Sequence, residues 1–117
     1  MSTLNDPSKG LLIFAVFQQN LAIAEKVQNL AIQKWGKFAN QTQWFDFHHT
    51  DYYKTEMGEH LQKSLWSFSI PISRQDLVLA KLWAIETEQT FSQNGKRNIN
   101  IDPGLLTLEN FILSTGK

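Results

Sequence analysis

The chain has 117 residues, 42% of them hydrophobic, with 11 Lys and Arg against 11 Asp and Glu and no cysteine. That length supports one domain around one core, and the balanced charge supplies no overall field to gather nucleic acid or an acidic membrane, so neither is expected as a partner. Without cysteine there are no disulfides, iron–sulfur clusters or thiolate zinc sites, which fits a reducing cytoplasm.

The opening MSTLNDPSKG has neither the basic start nor the small-residue cleavage site of a signal peptide, and residues 1–9 read as a disordered tail. The apolar run LLIFAVF is too short to cross a bilayer as a helix, which takes about 20 residues. Gly10 to Phe17, short and rich in large apolar residues, reads instead as a buried central strand. Asn20 then offers an N-cap, and Ala24, Val27, Ala31 and Trp35 recur at helical spacing as far as Gly36, a C-terminal stop. From Gln43 the period becomes two, with Phe45 and Phe47 expected on the core face and Trp44, Asp46 and His48 on the other. Leu65 to Ile72 alternates again, Trp66, Phe68 and Ile70 against Leu65, Ser67 and Ser69, with a stop at Pro71 and Ser73.

Ser73 and Asp76 have capping-box form. They open a helix whose stripe is Leu77, Ala80, Ala84 and Phe91 and whose end is Asn94-Gly95. Arg97 to Asp102 is the next strand, with Ile99 and Ile101 inward and Asn98, Asn100 and Asp102 outward. Asp102-Pro103-Gly104 reads as a turn, after which Thr107 caps a short helix carrying Leu108, Phe111 and Ile112. The order strand, helix, strand, strand, helix, strand is the ferredoxin-like split βαβ arrangement (βαββαβ): an α+β domain, antiparallel sheet, both helices on one face, strands one and three central. A flavodoxin-like parallel sheet is the second choice. No repeat or linker divides the chain, so 1–117 is taken as one domain.

On this fold the uncovered sheet face should carry Trp44, Asp46, His48, Ser67, Ser69, Asn98, Asn100 and Asp102. Any soluble antiparallel sheet wets one side, yet short carboxylates and amides are poor strand formers, and their use there suggests a site. The segment His49 to Ser64 is long for a hairpin and holds the reactive-looking groups. His48, His49, Asp51 and Glu56 are the candidate catalytic groups, for general acid–base work. His48, Asp51, Glu56 and His60 are candidate ligands for a divalent metal, although their spacing matches no established ligand signature. A wholly structural reading also stands, with Thr50 and Asp51 capping a short helix and a ring of Tyr52 or Tyr53 anchoring the loop. No phosphate loop, dinucleotide glycine fingerprint or Gly-x-Ser-x-Gly elbow is present. Lys81 and Trp83 read as a solvated and a core residue of the second helix.

Four stretches, FHHTDYYKTEMG (Phe47 to Gly58), SFSIPI, KLW (Lys81 to Trp83) and GKRNINIDPGLLTL, together resemble the bacterial family catalogued as domain of unknown function 4416, whose members are hypothetical proteins. The resemblance implies that Thr50, Asp51, Tyr52, Tyr53, Glu56, Met57 and Gly58, with Arg97, Asn100, Asp102, Pro103 and Gly104, match the family pattern. Leu105 stands where an aromatic is expected, and the family runs on beyond Lys117, which implies a truncated member. The expectation is a small-molecule or anion-binding site, with metal assistance an option, where the loop after strand two meets the end of strand four. Thr50, Tyr52, Tyr53, Arg97, Asn100 and Asp102 would bind the ligand, the arginine taking its anionic group. The alternative is a non-catalytic module that uses the open face, with Trp44 and Tyr52 or Tyr53, to bind another chain or to form a homodimer.

Overall fold

The computed structural model describes residues 9–46 and 61–107. β1 (Lys9–Gln18) alternates as its period-two pattern requires, with Leu12, Phe14 and Val16 buried. α1 (Leu21–Trp35) starts where the Asn20 side chain, on extended backbone, accepts the Ile23 N–H at 3.1 Å. It stops at Gly36, whose φ of 99° belongs to glycine and whose N–H returns to the Ile32 carbonyl. Ala24, Val27 and Ala31 are its buried stripe, small enough to let the helix lie close on the sheet.

Two short strands follow, β2 (Phe38–Gln41) and β3 (Phe45–Asp46), with a register shift between Phe38 and Asn40. Beyond them the expected faces are inverted. Phe45 is exposed, while Trp44 packs against the core with its ring 6.2 Å from Trp66. β4 (Gln62–Phe68) supplies the buried Trp66 and Phe68. Ile70, expected beside them, is 55% exposed because the chain leaves the ladder there and re-enters as β5 (Ile72–Ser73). α2 (Asp76–Thr90) begins at Gln75 with no side-chain cap bond, so the Ser73–Asp76 capping box does not form. Its inward residues are Ala80, Ala84 and Thr87. β6 (Ile99–Thr107) runs straight through Asp102-Pro103-Gly104 in unbroken register with β1, so that tripeptide is strand rather than turn. The helix expected after Thr107 lies outside the described residues.

The result is a mixed α+β architecture: two helices and an open, six-stranded antiparallel sheet among the described residues, which sets aside the parallel alternative. β1 is central, with β4 along one side and β6 along the other. Gly10 pairs with Thr107 of β6 and with Ile72 of β5, so β5 lies on the β4 side and prolongs it. β2 and β3 both pair with β4 at the far edge. One core joins Leu12, Phe14, Val16, Trp66, Phe68, Ile99 and Ile101 of the sheet to the alanines of both helices. Phe14 is its hub, edge-on to Phe68 at 4.8 Å and stacked on Trp83 at 5.8 Å.

Candidate functional site

The connection from α2 to β6 is built by its own residues. Gln93 and Lys96 exchange two backbone hydrogen bonds of 2.9 Å around Asn94 and Gly95, whose φ values are 54° and 75°. That is the pair of positive angles a two-residue type I′ reversal demands, and Asn-Gly is the dipeptide that tolerates it best. Asn98 then locks the junction. Its amide donates to the Phe91 carbonyl and its Oδ1 accepts from Gln19 Nε2, both at 2.9 Å. Asn98 is therefore a buried structural residue, and its expected place on the wet sheet face is corrected.

The reversal brings Arg97 back beside the last turns of α2. Its Nη1 donates to Asn100 Oδ1 and lies 3.9 Å from Glu88 Oε1. Glu88 Oε2 accepts the Ile101 backbone N–H at 2.7 Å, and Asn100 Nδ2 donates to Asp102 Oδ2 at 3.1 Å. The Ile101 N–H therefore points away from β1, and the period of two sends Ile99, Pro103 and Leu105 to the same outer edge. Pro103 thus sits where its missing N–H removes no ladder bond. The two devices together, a glutamate capping one edge donor and a proline deleting the next, blunt a strand edge that has no neighbouring strand among the described residues.

Around this edge lies an open cavity of about 450 Å³. It is lined by Lys81, Ile85 and Glu88 of α2 and by Arg97 and the stretch Asn100 to Pro103 of β6. It takes Asn100 and Asp102 from the uncovered face of the sheet and Ile101 and Pro103 from the helix face, as their registers with Phe17, Ala15, Val16 and Phe14 show. Two cations, Lys81 and Arg97, face two carboxylates, Glu88 and Asp102. The Glu88 carboxylate is engaged with the backbone, while the Lys81 and Asp102 side chains are exposed. A wall holding an arginine already oriented by a neighbouring amide and carboxylate can receive an anionic group with little reordering.

Of the residues singled out from sequence, Arg97, Asn100 and Asp102 come together here. His48, His49, Thr50, Asp51, Tyr52, Tyr53, Glu56 and His60 lie outside the described residues. That set includes every candidate metal ligand, and among the described residues no group of three or more His, Cys, Asp or Glu is placed to hold a metal ion. Sequence reasoning missed Lys81, read as merely solvated, and Glu88. Their signal was the spacing of Lys81, Ile85 and Glu88, a stripe beside the buried one.

The uncovered sheet face also differs from expectation. It bears Ser67 and the exposed Asp102, whereas Asn100, expected there as a wet residue, is only 4% exposed, and its centre is apolar: Leu11, Ile13 and Ala15 of β1, half-buried, flanked by Leu65 and Leu106. A groove of about 310 Å³ crosses it at Ile13, Ala15 and Gly104. Trp44, expected on this face, belongs to the core side. No described helix is long and apolar enough to cross a membrane.

A family model described as Domain of unknown function (DUF4416) matches residues 8–117. No curated protein and no solved structure matches the chain.

Proposed function

This chain belongs to the DUF4416 family, and on that premise we propose that it binds a small anionic molecule, a carboxylate or phosphate, in the cavity between α2 and β6. The observation that carries the reading is the orientation of Arg97, whose guanidinium is held by Asn100 and lies beside Glu88, with the exposed Lys81 in the same wall. In it, Arg97 and Lys81 bind the anionic group. Asp102, oriented by the Asn100 amide, accepts a hydroxyl or amine of the same ligand.

We also read the fold as a ferredoxin-like split βαβ plait in a bacterial, cytoplasmic protein. The order β2 with β3, β4 with β5, β1, β6, with strands one and three of the expected plan in the middle, supports the fold. Zero cysteine supports the compartment.

Titrating nitrogen-15-labelled protein with inorganic phosphate, and separately with citrate, tests the reading. At least one anion is expected to shift the amides of Asn100, Ile101 and Asp102, and Lys81→Ala to weaken that response about tenfold, the scale of one charge-assisted hydrogen bond. If neither anion moves those amides, or if Lys81→Ala and Arg97→Ala respond like the parent, the reading is abandoned.

A further inference from the structure

α2 is apolar on two sides, and the core explains only one of them. Opposite its buried alanines, Val78, Leu79, Leu82 and Ile85 are 62%, 56%, 57% and 52% exposed. A helix that is apolar on two opposite faces ordinarily has both covered, and a contiguous apolar patch of this kind marks a contact surface. The pattern along the patch is specific. Val78, Leu82, Ile85 and Gln89 follow one another at intervals of four, three and four, the seam of a heptad in which Leu82 and Gln89 occupy a and Val78 and Ile85 occupy d. Lys81 then falls at g and Glu86 at e, both exposed.

Five residues separate that g from that e. This is the offset at which the g side chain of one helix in a parallel pair lies beside the e side chain of the other, the positions whose charges choose coiled-coil partners. The signs are opposite, so two identical helices would make the pair twice by symmetry and meet no like charge at the seam. Formal net charge is zero, which leaves no long-range repulsion between copies. We propose that the partner of this face is a second copy of the chain, docked with the two α2 helices parallel about a two-fold axis and Lys81 of each against the partner's Glu86. Ile85 and Lys81 also line the cavity around β6, so the second copy borders each cavity, and an anion bound there competes with the partner's Glu86 for Lys81.

Sedimentation velocity over a concentration series, on the wild-type protein and three variants, tests this. The wild type is expected as a dimer of the 13.5 kDa chain. Leu82→Asp, a change at an exposed site, is expected to raise the dimer dissociation constant about 100-fold or more while leaving the far-ultraviolet circular dichroism and melting temperature of the monomer in place. Lys81→Glu should weaken association about tenfold, and the exchange Lys81→Glu with Glu86→Lys should restore it. A wild type that is monomeric at its highest soluble concentration overturns the proposal, as does a dimer indifferent to Leu82→Asp. If Leu82→Asp fails to fold, the charge exchange decides alone: a double variant no stronger than Lys81→Glu overturns the parallel pairing.

Discussion

Removing the Glu88 carboxylate tests whether that side chain holds the site together through the backbone or through charge. Glu88 accepts the Ile101 N–H at 2.7 Å and stands 3.9 Å from Arg97. The guanidinium side chain is 30% exposed, so the ion pair is worth at most about 1 kcal/mol. The Ile101 N–H belongs to a residue that is 3% exposed, and stranding such a donor costs about 1–3 kcal/mol. Glu88→Ala loses both and is expected to destabilise by about 1–4 kcal/mol. Glu88→Gln keeps an acceptor of the same reach and is expected to cost about 1 kcal/mol, the charge-assisted part of the bond. With a urea dependence of about 2 kcal/mol per molar, the middle of the range for small proteins, the alanine variant's midpoint should fall by about 0.5–2 M. The slope should stay unchanged, and the Ile101 amide should exchange faster with solvent. Equal losses in the two variants would refute the reasoning, because charge would then outweigh the backbone bond in holding β6 to α2.

Other outcomes follow from the same geometry. A Cβ at Gly10 would sit 2.7 Å from Leu105 Cγ and 2.9 Å from the Leu106 carbonyl oxygen, whereas one at Gly104 would have its nearest neighbour, the Ile13 carbonyl oxygen, at 4.0 Å. Gly10→Ala should therefore cost about 1–3 kcal/mol and Gly104→Ala be neutral or stabilising by up to about 1 kcal/mol, read from urea midpoints. Asn20→Ala should cost about 1 kcal/mol through the lost cap on the Ile23 N–H, and Asn20→Ser should recover most of it. Phe14→Ala, at the hub of the core, should cost about 3–5 kcal/mol by thermal or urea unfolding.

What could be read from sequence was what neighbours along the chain decide. β1 carried its own alternation, α1 carried both its cap and its glycine stop, and Asn94-Gly95 marked the end of the second helix before Arg97. The period of two was enough to put Asn100 and Asp102 on one face, whereas Arg97, of the opposite parity, was joined to them only by the family resemblance. The misses share a cause. Trp44 and Phe45 exchanged faces because β3 is only two residues long and the pairing with β4 slips by one residue between Gln41 and Phe45, where counting by twos loses its phase. Pro71 marked a kink and Pro103 an edge, since proline only reports that a ladder bond is missing, not that the strand has ended. Glu88 was invisible because its partner, Ile101, is chosen by how a helix settles against a strand. The uncovered face looked polar when read from β4 and β6 alone; its apolar centre comes from β1, whose outward side a reading of it as fully buried had left unassigned.

The Asn94-Gly95 reversal has a consequence for how the cavity comes into being. Every described wall residue lies between Lys81 and Pro103, and the reversal closes the loop that joins them over a short length of chain. Short loops lose little entropy on closing and form quickly. The helix end, the turn and the start of β6 can therefore meet as one local unit before β6 zips along β1. Arg97 would reach Glu88 early in folding, and the central strand would dock onto a wall already shaped.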